Sequence, residues 1–427
     1  MLERFTDIFL SFAGILYCQF FFKRSCYWTQ KRMEAYQFQK LKKLLTVCQE
    51  KIPYYKRLFQ EIGFDADRDF QKLSDLEKIP VTTKDNVRKH YIEFLNPDYA
   101  GKSMELKTSG STGEPLAVQV SRNQWAVEQG IVWRHWAWNG YRFRDKIGII
   151  RSYAPENGRL VKYDRLRNFI YYSPYSLTDR NMDRYLNHMI KEKVRFLRGY
   201  PSSLETLARY VLRTHHAVPA IEGIFCASEV LSESAARRIE EAFGVKAANW
   251  YGLAECIVTM GDCRQHKGLH IFEEYGYAEF LNTGMPGRKK IIGTNLHNYA
   301  MPLLRYETGD IALMAESGCS CRRSLRVIQN IAGRNSCVIK LRDRDIPLTN
   351  FYTLMEHYPQ TESWQIVQRG QNTIELILAR KAGKELRQKL AKEFQARIGQ
   401  EMEFHIRDDG EFIRRGEGKK LAFVRME

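Results

Sequence analysis

The most restrictive feature of this chain is the regular alternation of short apolar segments and amphipathic segments in its central part. Lys146–Arg151 and Ile221–Ala227 have the composition of short buried strands. Thr178 and Ser232 each begin an amphipathic segment, where a hydroxyl side chain can cap a helix. Strands and helices that alternate at this pace favour an α/β sheet with crossover helices, whose ligands bind beyond the carboxyl ends of strands. We therefore predict a large α/β domain.

A different pattern begins near residue 335. Its predicted elements are two strands, a charged helix and a third strand, at Gln365–Val367, Thr373–Leu378, Lys384–Ile398 and Met402–Ile406. This order is typical of a compact α+β unit. We predict a large domain over residues 1–335 and a small carboxyl-terminal α+β domain over residues 336–427.

The composition limits the classes of partner. Hydrophobic residues make up 44% of the chain, which is typical of a folded globular protein. The net charge of +17 predicts attraction to an acidic partner such as a nucleotide, an anionic membrane or a nucleic acid. Lys and Arg are spread along the whole chain instead of clustering with stacking aromatics, which argues against a nucleic-acid binder. The chain contains nine Cys, an odd number, and we recognise no secretory leader before them. We therefore expect a reducing, cytoplasmic location.

The amino-terminal segment Ile8–Phe22 contains no charged residue. It is shorter than the ~20 apolar residues that a membrane-spanning helix needs. Two interpretations are open: a helix buried against the large domain, or an interfacial helix whose neighbours Lys23, Arg24 and Lys31 meet lipid headgroups. The second predicts peripheral contact with the inner face of a membrane through residues 8–24.

Glycines and hydroxyl side chains are concentrated in one run, Thr108-Ser109-Gly110-Ser111-Thr112-Gly113. Glycine lets a backbone fold closely around an anion, and successive N–H groups with Ser and Thr hydroxyls supply donors to phosphate oxygens. The run suits a nucleotide triphosphate, but no Lys follows its last Gly as in a P-loop. The alternative is an ordinary flexible hairpin loop before the strand-like Leu116–Val120.

Further motifs follow this loop along the chain: Tyr251-Gly252-Leu253-Ala254-Glu255, Thr308-Gly309-Asp310, Gly333-Arg334 and Gly418-Lys419. In this order, they resemble the adenylate-forming superfamily of acyl-activating enzymes. Within it, the chain resembles the phenylacetate–CoA ligase branch and its CapK-like subgroup, which is associated with polysaccharides. The segments that also match this subgroup are Gly199–Ser203, Ala227–Glu229, Asn298–Tyr306 and Trp364–Gln368.

The resemblance implies a reaction in which a carboxylate attacks the α-phosphorus of ATP and pyrophosphate leaves. Two anions must be positioned and the phosphate charge neutralised. The resemblance assigns Glu255 to Mg²⁺, Asp310 to the ribose hydroxyls, and Lys419 to the bridging oxygen and the carboxylate, with the neighbouring Lys420 as a rival. The other assignments to ATP are Thr108–Gly113 at the phosphates, Ser228, Glu229, Tyr251 and Gly252 around the adenine, and Arg334 beside the ribose. Tyr200 and Pro201 are candidates for the acyl pocket.

A catalytic Lys on a separate small domain implies rotation between a pose for adenylation and a pose for the second acceptor. The family usually carries acidic residues after its Gly-Arg pair, whereas Asn335-Ser336-Cys337 follow here. We therefore place the hinge only within residues 335–345.

Cys263, His270, Cys319 and Cys321 together offer three thiolates and an imidazole, a ligand set of structural zinc. Some members of the branch that the chain resembles carry a similar pattern. The spacing of Cys319 and Cys321 is not the common one for zinc, and four unrelated loop residues are the alternative. A bound zinc ion would join two of the loops assigned to ATP.

These observations predict an ATP-dependent ligase that converts a small carboxylic acid into an acyl-adenylate and then transfers the acyl group to an acceptor. The acceptor is the thiol of CoA or an amine on an amino acid or a sugar, and the residues leave this choice open. The alternative is a non-catalytic nucleotide-binding or scaffold protein that keeps the same fold.

Overall fold

The computed structural model describes most of the chain, namely residues 10, 12–108, 116–151, 153, 159–174, 177–334, 338–341, 345–347, 351, 354–355, 357–361, 363–399, 402–415 and 419–426. A helical amino-terminal segment, here called the N-terminal helix, covers residues 12–25 and includes a π-helical turn at Cys18–Phe22. The α-helices that follow are α1 Gln30–Lys51, α2 Pro53–Glu61, α3 Ala66–Asp69, α4 Lys84–Lys89, α5 Arg122–Trp138, α6 Asp179–Lys191, α7 Pro201–Thr214, α8 Glu233–Phe243 and α9 Lys384–Ile398. Short 3-10 helices occur at Leu73–Lys78, Tyr91–Phe94, Pro97–Tyr99 and Pro359–Thr361.

The strands form one large sheet and several small ones. In chain order they are β1 Ser103–Lys107, β2 Ala117–Ser121, β3 Ile147–Ile150, β4 Val161–Asp164, β5 Phe169–Tyr172, β6 Phe196–Gly199, β7 Gly223–Ala227, β8 Ala247–Gly252, β9 Thr259–Gly261, β10 Leu269–Ile271, β11 Gly276–Asn282, β12 Arg288–Asn295, β13 Tyr306–Met314, β14 Val327–Arg334, β15 Val338–Lys340, β16 Asp345–Pro347, β17 Trp364–Arg369, β18 Thr373–Leu378, β19 Glu403–Arg407, β20 Arg414–Arg415, β21 Lys419–Lys420 and β22 Phe423–Met426. The large sheet has 12 strands in the order β11-β12-β13-β14-β10-β9-β8-β7-β6-β3-β5-β4.

The centre of the large sheet is parallel and its flanks are antiparallel. Strands β5, β3, β6, β7 and β8 run parallel, whereas β4 on one side and β9 to β14 on the other pair antiparallel. The predicted α/β architecture is confirmed, and the antiparallel flank is an addition that the sequence did not indicate. Because the carboxyl ends of parallel strands meet at one edge, the segments after β3, β6, β7 and β8 lie beside one another.

The local signals that mark the helices agree with the predictions. The Thr178 hydroxyl accepts from the Asn181 N–H at 3.3 Å at the start of α6. The Ser232 hydroxyl accepts from the Ala235 N–H at 3.2 Å at the start of α8. Helix α7 begins at Pro201, since proline at the first helical position loses no hydrogen bond.

The small domain has its own core. Strands β19, β18, β17 and β22 form a 4-stranded sheet, with α9 packed against it through Leu390, Phe394 and Ile398, which are fully buried. The predicted strands, helix and order of elements are confirmed. The boundary near residue 335 and the hinge within 335–345 stay predictions, since residues 335–337 and 342–344 lie outside the described residues.

The N-terminal helix is buried on one side and exposed on the other, and its contact with a membrane stays a prediction. Cys18 and Phe22 are buried against the large domain, whereas Leu16 and Phe20 on the opposite side are 58% and 70% exposed. Tyr27, just beyond the helix, is 55% exposed. In the part of the chain that the structure describes, no helix combines the length and the apolar character needed to cross a bilayer.

Candidate active site

Two hydrogen bonds between a tyrosine and a carboxylate join the end of β8 to strand β13. The Tyr251 hydroxyl donates to Asp310 Oδ2 at 2.8 Å, and the Tyr306 hydroxyl donates to Glu255 Oε1 at 3.1 Å. Asp310 is 6% exposed and Glu255 is 7% exposed. The backbone of Arg334 pairs with that of Asp310 in the register of β13 and β14. Motifs that are distant in the sequence therefore lie side by side.

Glu255 is a buried acid without a basic partner. Among the described residues, no Lys or Arg forms an ion pair with it, and its carboxylate accepts only the Tyr306 hydroxyl. A buried carboxylate without a cation is costly, so this position suits a bound positive charge. Carboxylate oxygen is also the ligand type that Mg²⁺ prefers.

The base of the glycine- and hydroxyl-rich loop is attached to the same region. Thr108 Oγ1 accepts from Lys84 Nζ at 3.1 Å and from the Leu116 N–H at 2.9 Å. Near Lys84, the Thr82 N–H donates to the Arg305 carbonyl at 3.0 Å, and Thr82 forms a parallel bridge with Tyr306. The loop thus begins close to the residue that holds Glu255. Its other predicted members, Ser109, Gly110, Ser111, Thr112 and Gly113, lie outside the described residues.

A second group of predicted residues surrounds the exits of β6 and β7. Ser228 has a φ of 72°, in the left-handed region that non-glycine residues rarely adopt. Its hydroxyl accepts from Arg151 Nη2 at 3.4 Å, and the Arg151 guanidinium lies 5.3 Å from the centroid of the Tyr200 ring. Glu229 accepts from the Ser202 N–H at 3.0 Å, where the positive end of α7 favours an anion. Ala227 pairs with Trp250 in β8, so Ser228 and Glu229 follow directly beside Tyr251 and Gly252.

The small domain faces this group across a cleft. Its large-domain lining includes Pro201, Glu205 and Glu229, and its small-domain lining includes Ser363 and Lys420. Lys420 Nζ donates to Ser363 Oγ. Burial lowers the pKa of the Lys420 ammonium to about 8, although the carboxylates of Glu205 and Glu229 act in the opposite direction. The structure therefore places Lys420, the alternative to Lys419, in the cleft beside Glu229.

Lys419, the lysine that the sequence favours, is the neighbour of Lys420 in β21. Its backbone pairs with Arg415 of β20. It therefore belongs to the same short hairpin at the rim of the cleft, one residue from a side chain that lines it.

Sequence reasoning missed two ionisable residues, Arg198 and Glu128, on the α5 side of the sheet. Arg198 is the last residue but one of β6, and its guanidinium lies 5.0 Å from the centroid of the Trp136 ring. Glu128 of α5 accepts a hydrogen bond from the Tyr275 hydroxyl. Burial raises the pKa of the Glu128 carboxyl to about 7, against the lowering effects of Tyr275 and Arg198. The sequence signal that could have identified Arg198 is its position as a charged residue in a buried strand, directly before Gly199-Tyr200-Pro201.

The four candidate zinc ligands form a cluster. The ligand atoms of Cys263, His270, Cys319 and Cys321 all lie within 4.8 Å of one another. The Sγ atoms of Cys263 and Cys319 are 3.7 Å apart, and Cys321 Sγ is 3.4 Å from His270 Nε2. Burial and the charge of Arg323 lower the pKa of His270 to about 4, which keeps the imidazole in the neutral form that binds metal.

The cluster has the dimensions of a tetrahedral zinc site. Zn–S bonds of ~2.3 Å at tetrahedral angles place two sulfurs ~3.8 Å apart, close to the observed separation of Cys263 and Cys319. The cluster joins the β9–β10 connection, which carries Cys263, to the β13–β14 connection, which carries Cys319 and Cys321. The spacing of the two cysteines in the sequence therefore does not prevent convergence.

Comparisons with known proteins agree with this arrangement. No protein-family model matches the chain. The chain is 28% identical over 368 residues to the phenylacetate-coenzyme A ligase of Thermus thermophilus, which covers 81% of this chain and 80% of that protein. It is 21% identical over 359 residues to Protein CapK of Staphylococcus aureus, which covers 80% of this chain and 78% of that protein.

A solved structure shares the fold over nearly the whole length. 2-Hydroxyisobutyryl-CoA ligase in its postadenylation state, in complex with 2-HIB-AMP, superposes with a TM-score of 0.71 at 18% identity, covering 94% of this chain and 93% of that chain. The same enzyme in its thioesterification state, with CoA also bound, superposes with a TM-score of 0.58. Both domains thus belong to this fold.

Proposed function

Since this chain is a member of the adenylate-forming superfamily, related to the phenylacetate–CoA ligases and to Protein CapK, we propose that it is an ATP-dependent ligase that activates a carboxylic acid as an acyl-adenylate. The observation that carries the proposal is the convergence of Glu255, Asp310, Tyr251 and the base of the Thr108 loop at one edge of the sheet. Each residue comes from a different motif, and a scaffold would not need these polar groups buried together.

Different residues would contact different parts of ATP. Asp310 accepts hydrogen bonds, which suits the ribose hydroxyls, and Tyr251 fixes the orientation of its carboxylate. Ser228, Glu229 and Gly252 border the adenine, with Arg334 beside the ribose and Ser109–Gly113 around the phosphates. Glu255 is the residue that would hold Mg²⁺, and the ion would supply positive charge to offset that of the phosphates.

The small domain supplies the positive charge at the reacting centre. An ammonium on a flexible stem can reach the attacking carboxylate and the bridging oxygen together, which is the role we propose for Lys419. We propose that the small domain rotates about a hinge within residues 335–345 between a pose for adenylation and a pose for the second acceptor.

Pyrophosphate exchange tests the proposal and assigns the lysine. Lys419→Ala should abolish carboxylate-dependent ATP–pyrophosphate exchange and leave ATP binding within twofold of wild type, measured by calorimetry. Lys420→Ala is the matched control, with the same charge change one position along, and should keep the reaction. If Lys420→Ala abolishes exchange and Lys419→Ala keeps it, the catalytic role belongs to Lys420, which lines the cleft. No exchange with any of a broad panel of acids would favour the scaffold.

The second half-reaction transfers the acyl group to CoA or to an amine on an amino acid or a sugar. The names of the relatives favour the thiol of CoA for the first group and leave the amine open for the CapK-like one. Mass spectrometry of products formed with CoA and with amino sugars distinguishes them. A thioester alone would contradict a role in polysaccharide assembly.

We also propose that Cys263, His270, Cys319 and Cys321 bind a structural zinc ion. The supporting observations are the tetrahedral edge lengths and a complete set of four ligands. Elemental analysis of the purified protein should find about one zinc per chain. Cys319→Ser should lower this content, whereas Cys48→Ser, at a buried cysteine outside the cluster, should not.

A third proposal concerns the exposed stripe of the N-terminal helix. Leu16 and Phe20 are one helical turn apart on the outer side, and the exposed basic residues Lys23 and Arg24 follow them. This combination suits the interface of an anionic membrane, where apolar side chains insert and basic ones meet headgroups.

Flotation with vesicles tests the membrane contact. The protein should float with phosphatidylglycerol–phosphatidylcholine vesicles and much less with phosphatidylcholine alone. Phe20→Ser should weaken the association by roughly tenfold, since burial of one large apolar side chain is worth ~1.5–3 kcal/mol. Ile92→Ser, which removes a 73% exposed side chain elsewhere, is the control and should have no effect.

A further inference from the structure

Among the described residues, Arg198 is a partly buried arginine that forms no ion pair. Its guanidinium packs against the Trp136 ring, and it forms neither a side-chain hydrogen bond nor an ion pair within the portion of the chain that the structure describes. Burial, and next the charge of Arg151, lower the pKa of Arg198 to about 9. A partly buried arginine that forms no ion pair suits a bound anion.

Arg151 brings a second positive charge to the same edge. Ile149 pairs with Arg198 in the register of β3 and β6, so Arg151 lies just beyond it at the strand exit. Its guanidinium contacts the Ser228 hydroxyl and the Tyr200 ring and has no ion pair among the described residues. Two neighbouring guanidinium groups repel each other, and a bound anion would remove that repulsion.

Arg198 relates the pair to the acid, whereas Arg151 also contacts Ser228, which we assign to the border of the adenine. Arg198 faces α5, with Glu128 close enough to influence its charge. Glu128 in turn lies near Cys256, the residue after the proposed Mg²⁺ ligand Glu255. A carboxylate activated beside Glu255 would therefore extend its remaining atoms along α5 towards Arg198. Glu128 is held by Tyr275 and does not form an ion pair with Arg198.

We propose that Arg198, assisted by Arg151, binds a second anionic group of the substrate, so that the acid activated by this protein is a dicarboxylic acid. The inference rests on the proposed ligase function, because it names the substrate class of that site. A guanidinium recognises a carboxylate through paired hydrogen bonds, and an uncharged acyl chain would leave both guanidinium groups unpaired.

Direct binding tests the inference without catalysis. Succinate, glutarate and adipate are titrated calorimetrically into the full-length protein with a non-hydrolysable ATP analogue, each against the monocarboxylate of the same carbon number. At least one dicarboxylate should bind roughly tenfold or more tightly than its partner, since a charge-assisted paired contact carries that difference. Arg198→Gln should remove this preference and leave the affinity for the ATP analogue unchanged.

The control variant changes the net charge by the same amount as Arg198→Gln. Arg237→Gln removes an equally charged but 71% exposed side chain and should behave as wild type. Equal affinity for the two kinds of acid, absence of dicarboxylate binding, or loss of ATP affinity in Arg198→Gln would each overturn the inference. Dicarboxylate binding that depends on Arg198 but never supports pyrophosphate exchange would contradict the ligase function and support only a dicarboxylate-binding site at Arg198.

Discussion

A fully buried ion pair fastens the N-terminal helix to the large domain. The Arg134 and Glu274 side chains are 1% and 0% exposed, with Nη1 to Oε1 at 2.6 Å and Nη2 to Oε2 at 3.3 Å. The same Glu274 oxygen accepts from the Ser25 hydroxyl at 2.5 Å, and Arg134 Nη1 also donates to the Phe22 carbonyl at 3.1 Å. One guanidinium thus connects α5, the loop before β11 and the N-terminal helix.

Arg134→Met should be severely destabilising. The methionine fills most of the space but leaves Glu274 buried without a cation, which costs about 3–5 kcal/mol. The loss of the hydrogen bond to Phe22 adds ~1 kcal/mol. Because typical domain stabilities are ~5–15 kcal/mol, the variant should lose roughly a third or more of its free energy of unfolding. Urea unfolding followed by tryptophan fluorescence measures this loss.

A second substitution separates this mechanism from simple misfolding. Glu274→Gln added to Arg134→Met should recover ~2 kcal/mol or more relative to the sum of the single changes. A deficit under ~1 kcal/mol, or one that the double variant fails to reduce, would refute the reasoning.

Three further expectations concern single side chains. Burial raises the folded-state pKa of Glu128 from 4.5 to about 7. The wild-type protein should therefore lose stability as the pH rises from ~4.5 to ~7, by on the order of 3 kcal/mol in full. Urea unfolding at several pH values should show this decline for the wild-type protein and not for Glu128→Gln. Tyr251→Phe removes one hydrogen bond to Asp310 and should cost ~1 kcal/mol in stability, and we expect ATP binding measured by calorimetry to weaken. Chelation should lower the melting temperature of the wild-type protein but not that of Cys321→Ser, and an equal response of both would contradict the metal site.

Much of the local structure follows from short sequence signals. Thr178 and Ser232 cap the helices that they precede, and Gly244 ends α8 with a φ of 72°. The helix of the small domain has the predicted bounds, Lys384–Ile398. These features depend on contacts within a few residues, and the sequence contains all the information that they need. The order of the motifs also indicated the superfamily before any contact was known.

Contacts between distant segments required the tertiary structure. Strand β10 lies between β9 and β14 in the antiparallel flank, although a long stretch of chain separates it from β14. The ion pair of Arg134 and Glu274 joins residues 140 positions apart, and the Trp136 ring meets Arg198 across the face of the sheet. Periodicity and capping signals act over one or two helical turns, whereas these pairings depend on which faces pack together once the chain has collapsed. The sequence by itself determined the helix ends, the small-domain elements and the order of the motifs, whereas the packing decided which strands pair and which charged side chains have partners.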